Sequence, residues 1–191
     1  WEREKTKKHY ANLGEKYKVE LVDMIPKDNE VSISGDGQVS FGDSILKSGA
    51  KKVRKVYNNQ ILIGFAGATA DAITLFEKFE AKLDEFKGNL RRSSVELAKE
   101  WRTDKILKTL EAMMIVADKN EIFLISGSGD VIEPDIPICS VGSGGFYAYS
   151  AAKALYNYSE LSASEITKNS LTIASEICIY TNNSITTEVL K

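Results

Sequence analysis

The chain reads as an α+β layered sandwich, in which helices cover both outer faces of two packed sheets. Three observations predict this. Short strand-like runs come in groups separated by turn residues. Each group is followed by a pair of segments with helical apolar spacing. Strands and helices therefore do not alternate singly, as a parallel βαβ fold would require. At 191 residues, with 43% hydrophobic and 27% charged residues, the chain is long enough for one domain with a sizeable core.

Residues 1–18 (WEREKTKKHYANLGEKYK) are polar and mildly basic, with little apolar period, and read as an added arm or docking element. The domain proper is expected over 19–191. Val19–Ile25 and Val31–Ser34 flank Pro26-Lys27-Asp28-Asn29 and predict a first hairpin. Gly35-Asp36-Gly37 leads into a strand over Gln38–Phe41. Lys52–Val56 and Gln60–Phe65 form a second pair around Asn58-Asn59, residues that tolerate the positive φ of a tight hairpin turn.

Phe76, Phe79, Leu83 and Phe86 recur at spacings of three and four, the period of one helix face, and Gly88-Asn89 marks its end. Ser93 and Glu96 have the spacing of a capping box, which would start a second helix through Leu97 and Trp101. Met113–Ala117 and Glu121–Ser126 then predict a strand pair around Asp118-Lys119-Asn120, closed by Gly127–Asp130. Pro134 and Pro137 mark an irregular connection. A helix containing Ala148, Ala151, Ala152 and Leu155 follows Gly142–Gly145. Ser162 and Glu165 form another capping box before a helix to about Ile177, and Thr181–Leu190 ends in a short strand.

Composition narrows the chemistry. A net charge of −2 gives no basic field for nucleic acid. No apolar run approaches the roughly 20 residues of a membrane-spanning helix. Cys139 and Cys178 lie far apart with no CxxC, which argues against a zinc site or a disulfide framework. One histidine, His9, does not furnish a histidine-based triad. The glycine-rich Gly142–Gly145 lacks the Lys-Ser/Thr that completes a P-loop. Trp1 as a first residue reads as the start left after a leader, such as an organelle transit peptide.

Several short motifs stand in order along the chain: Gly35-Asp36-Gly37-Gln38-Val39, Lys51-Lys52-Val53-Arg54, Gly64–Ala72 (GFAGATADA) and Val95–Asp104 (VELAKEWRTD). Leu110–Ala112, Gly129–Val131, Gly142–Gly145 and Ile177–Asn182 (ICIYTN) follow. Together these motifs resemble the HslV (ClpQ) family, the peptidase subunit of the bacterial-type proteasome. The resemblance implies the four-layer αββα sandwich of amino-terminal nucleophile hydrolases. It also implies stacked six-membered rings served by an HslU-type unfoldase.

The resemblance further implies a threonine at the first position of the mature chain, whose hydroxyl attacks while its own α-amine acts as base. That position falls sixteen residues before the GDG aspartate, at Glu20, or at Val19 if the Pro26–Asn29 turn holds an extra residue. Neither is threonine, serine or cysteine, and both follow at least eighteen other residues. Thr6 is not terminal either. Asp36 and Lys52 match the family's buried carboxylate and lysine beside the nucleophile, and Ser143 matches a serine near the site. Ser175, Cys178 and Thr181 match positions whose backbone carbonyls hold a monovalent cation such as sodium, with Ser175 in place of the family's glycine.

The expectation is thus a catalytically inactive HslV-like subunit. It would pair with itself or an active paralogue, or serve as a structural piece of a larger complex, mitochondrial if the source is eukaryotic and cytoplasmic if bacterial. The alternative is an active ATP-dependent threonine peptidase working with HslU. A third reading is a peptide-binding module that uses the cleft around Asp36, Lys52 and Ser143.

Overall fold

The structure, a computed structural model, describes residues 18, 19, 21–105, 107–110 and 112–191. Most of the predicted arm lies outside these residues. Among the described residues the chain forms two sheets, four α-helices and a 3-10 turn at Leu107–Thr109. The first sheet contains β1 (Lys18–Val19), β4 (Val39–Phe41), β5 (Ser44–Lys47), β6 (Val53–Val56) and β7 (Ile61–Ala68), with β8 (Ala112–Ala117), β9 (Ile122–Ser126) and β10 (Val131–Ile132). Its order is β10-β9-β8-β7-β1-β4-β5, with β6 also on β7. The second sheet has the order β11-β2-β3-β12, from β2 (Leu21–Lys27), β3 (Glu30–Gly35), β11 (Cys139–Gly142) and β12 (Thr186–Leu190).

Strand alternation builds the layers. On β7, Ile61 and Ile63 point to one core and Leu62 and Ala66 to another, so both faces of this strand are buried. Ile61 and Ile63 pack with Phe79, Leu83, Leu97 and Trp101 of α1 (Thr69–Glu85) and α2 (Leu90–Thr103). Leu62 and Ala66 meet Met24, Ile33 and Val141 between the sheets. On the far side, Ile25 and Ile138 pack against Ala152, Ala163 and Ile166 of α3 (Gly145–Tyr158) and α4 (Ala163–Ile177). The predicted αββα sandwich is therefore present, with each apolar stripe covered by a neighbouring layer.

The hairpin turns carry the residues their geometry needs. Asp28 and Asn29 have φ of 53° and 63°, and Asn58 and Asn59 have φ of 55° and 62°. Gly88, at φ +77°, ends the first helix; a Cβ there would lie 2.3 Å from the Tyr57 ring.

Several expectations are corrected. The expected first strand, Val19–Ile25, is broken: Val19 belongs to the first sheet and Leu21 to the second. The capping box at Ser93 and Glu96 does not form. Asn89 caps α2 by accepting from the Arg92 amide, and Ser93 lies one turn inside, donating to the Lys82 carbonyl. Asn89 wins because its amide oxygen reaches the free N–H groups one turn before Ser93 can. Phe86 caps the end of α1 and stacks under Arg92, 4.5 Å from ring centroid to guanidinium, instead of continuing the helix face. The box at Ser162 and Glu165 is present in both directions. β5, β10 and β11 had no sequence-level expectation.

Candidate active site

Asp36 follows the end of β3, where the chain turns toward β4. Gly37 is obligatory in that turn: a Cβ on it would stand 2.2 Å from the Ser48 carbonyl oxygen. Lys52 immediately precedes β6 and its carbonyl accepts from the Phe65 amide at 3.3 Å, which fastens it to the edge of β7. These two anchors bring a carboxylate and an ammonium together with neither side chain exposed.

The Lys52 ammonium donates to Asp36 Oδ1. Asp36 Oδ2 accepts from the Gln38 amide at 2.9 Å and from the Asn182 amide at 3.2 Å. The carboxylate thus has one cation and two oriented amides, the arrangement that makes a buried ion pair tolerable. Asn182 also clamps the surrounding turn. Its Oδ1 accepts from the Gly37 amide at 3.1 Å and the Ser184 amide at 3.0 Å, and its Nδ2 donates to the Ser48 carbonyl at 3.0 Å. Gln38 Nε2 donates to the Ile179 carbonyl at 3.0 Å and the Ser40 hydroxyl at 3.1 Å. Asn182 lies in the ICIYTN motif and Gln38 in GDGQV, but neither motif signals these hydrogen bonds.

The predicted nucleophile position can be located through its neighbours. Val19 pairs with Gly67 on the same edge of β7 where Lys52 meets Phe65. Leu21 pairs with Gly142, the residue before Ser143. Glu20 itself lies outside the described residues. Its chain neighbours lead on one side to the β7 edge beside Lys52 and on the other to the strand that ends at Ser143. Ser143 is exposed, in the turn that leads into α3. Backbone pairing thus ties Val19 to the β7 edge that Lys52 also meets, and Leu21 to the strand that precedes Ser143.

Other candidate groups fare differently. Cys139 is buried, and desolvation first, then the nearby Asp23 charge, pushes its thiol up to about 12, which removes it as a nucleophile at neutral pH. Ser175, Cys178 and Thr181 lie at and just beyond the end of α4. The Cys178 carbonyl already accepts from the Thr181 amide at 3.0 Å, while the buried Thr181 hydroxyl has no hydrogen-bond partner among the described residues. Oxygen donors of this kind suit a hard monovalent cation in chemistry. Among the described residues no group of three or more His, Cys, Asp or Glu is placed to hold a metal, and no helix is long and apolar enough to cross a membrane.

The layered sandwich and the Asp36–Lys52 pair beside the β7 edge define an amino-terminal nucleophile hydrolase fold of the proteasome type. Residues 25–190 match the proteasome subunit family. The chain is 56% identical over 167 residues to the ATP-dependent protease subunit HslV of Caldanaerobacter subterraneus subsp. tengcongensis, covering 87% of this chain and 95% of that protein. It is 54% identical over the same shares to the HslV subunit of Thermoanaerobacter pseudethanolicus. The eukaryotic HslV from Trypanosoma brucei superposes with a TM-score of 0.85 at 42% identity, over 90% of this chain and 99% of that one. The chain belongs to the proteasome subunit family and, within it, to the HslV group.

Proposed function

We propose that this HslV-type subunit is non-catalytic and acts as a structural or accessory member of an oligomer. The observation that carries this reading is the chemistry of the strand start. Val19, Glu20, Leu21 and Val22 supply no hydroxyl or thiol, and Val19 is held within the first sheet by backbone pairing on both sides. A residue inside the chain carries an amide nitrogen with no basic lone pair, so the α-amine required as base is also missing there. The retained Asp36–Lys52 pair then serves the fold, locking the turn after β3 to the β7 edge.

The partner in this reading is a further copy or an active paralogue, with an HslU-type ATPase where that docking is kept. Other subunits of a larger complex take its place if the domain serves as a scaffold. Placement in the mitochondrial matrix follows for a eukaryotic source, and in the cytoplasm for a bacterial one. A sodium ion held by the carbonyls of Ser175, Cys178 and Thr181 belongs to the same reading; the buried Thr181 hydroxyl, without a hydrogen-bond partner among the described residues, is a further oxygen donor on the same residue.

The names of the relatives favour a second reading, an active ATP-dependent protease subunit. Hydrolysis of an unfolded protein by the purified chain, with and without an HslU-type ATPase, separates the two. No turnover is expected. Turnover abolished by a threonine-directed inhibitor would establish the second reading, and mass spectrometry of the mature terminus would identify the attacking residue.

A further inference from the structure

The strand ends away from Asp36 carry a cavity of about 970 Å³. The strand register fixes its place. Leu190 and Val189, which line it, pair with Val31 and Ser32 near the turn of the β2–β3 hairpin, whereas Thr186 pairs with Gly35 beside Asp36. Ile61, also in the lining, starts β7, and Gly67 near the other end of that strand meets Val19. Four segments supply the walls: β6 with its turn into β7, the Asp118–Asn120 turn, the end of β12, and Gly88 after α1. The volume lies at the upper end of the range of about 300–1,000 Å³ usual for small-molecule sites.

Its charge runs against that of the whole chain. The charged side chains of the lining are three lysines, Lys55, Lys119 and Lys191, and one aspartate, Asp118, in a chain of net charge −2. Asp118 is committed to its own turn: its Oδ1 accepts from the Asn120 amide at 2.7 Å and the Glu121 amide at 2.9 Å. Lys55 makes only a long contact, 3.8 Å, with Glu188. Lys119 and Lys191 have no ion pair among the described residues. Asn59, Gln60 and Asn120 add carboxamide donors to the same walls.

The donor set selects among anions. The three ammonium groups come from three separate segments, so one carboxylate meets them singly, whereas an anion charged along its length meets them together. Lysine also lacks the planar fork with which arginine holds a carboxylate, and serves phosphate oxygens as a point charge. We propose that this cavity binds a polyphosphate chain, free or carried on a nucleotide. Lys55, Lys119 and Lys191 neutralise the phosphate oxygens, and the carboxamides of Asn59, Gln60 and Asn120 donate hydrogen bonds to them. The site lies apart from Asp36 and Lys52, so it does not depend on whether the chain cleaves peptide bonds.

The test is a calorimetric titration of the full chain with tripolyphosphate, beside citrate as a polycarboxylate control, with amide chemical shifts to map the contact. Tripolyphosphate should bind at least tenfold more tightly than citrate and move the amides of residues 59–61, 118–120 and 189–191. Lys55→Gln combined with Lys119→Gln should weaken binding at least tenfold. Lys153→Gln combined with Lys168→Gln removes the same charge from exposed positions on α3 and α4 and should leave binding unchanged. If the first pair does not fold, Lys119→Gln alone, on an exposed residue, decides with an expected loss of at least threefold. Adenosine triphosphate in a parallel titration distinguishes the sources: tighter binding than tripolyphosphate identifies a nucleotide, and equal or weaker binding the free chain. The proposal is overturned if tripolyphosphate does not bind, if citrate binds equally well, if the shifts fall elsewhere, or if both lysine pairs lower affinity alike.

Discussion

Two buried aspartates sit near the open end of the β2–β3 hairpin, Asp23 opposite Ser34 and Asp36 just past Gly35, and are treated very differently. Asp36 has a lysine ammonium and two backbone amides. Asp23, on β2, has the Ser140 hydroxyl at 2.6 Å on one oxygen, and its second oxygen has no partner among the described residues. Both are fully buried. Burial pushes the Asp23 carboxyl up to about 7, only partly opposed by the hydrogen bonds from Ser140 and the Met24 amide. A buried carboxylate is thus affordable with a cation and titrates near neutrality without one.

The strongest way to break this contrast is to remove the cation. Lys52→Met leaves Asp36 buried and uncompensated, and should lower unfolding free energy by about 3–5 kcal/mol in denaturant titrations. Adding Asp36→Asn to that variant should recover part of the loss, which a double-mutant cycle reads directly.

The second test is pH. Folded Asp23 holds its proton up to about 7, whereas the unfolded carboxyl ionises near 3.8. Between those values the unfolded state binds fewer protons, so this group makes stability fall as pH rises through the window and level off above it. The loss should amount to a few kcal/mol, and Asp23→Asn should flatten that stretch of the stability-versus-pH curve. An equally steep fall in the variant would assign the effect elsewhere.

The smallest effect is expected at the clamp. Asn182→Ala removes side-chain bonds to Gly37, Ser184 and Ser48, but keeps the backbone amide on Asp36. A cost of about 1–2 kcal/mol should appear in denaturant midpoints, well below that of Lys52→Met.

Much of the fold was legible because its signals are local. Apolar runs bounded by turn residues marked β2, β3, β7, β8 and β9, helical spacing marked α1, and a capping box marked the start of α4. β5 escaped because Ser44–Lys47 is exposed on every residue and carries no alternation. β11 escaped because Cys139–Gly142 has only four residues and follows a proline-rich connection. Asp36 and Lys52 were found through their motifs. Asp23 and Ser140, 117 positions apart, carry no motif, and only the β2–β11 register places them together.

The sequence by itself determined the layers, the turn chemistry, the family and the absence of a hydroxyl or thiol at residues 19–22. Only the tertiary structure decided that the chain changes sheets between Val19 and Leu21, and that β1 fills the gap between β4 and β7. The reason is physical. Apolar runs, turn residues and helical spacing are properties of neighbours along the chain, whereas a strand's partners are fixed by packing between residues far apart in sequence.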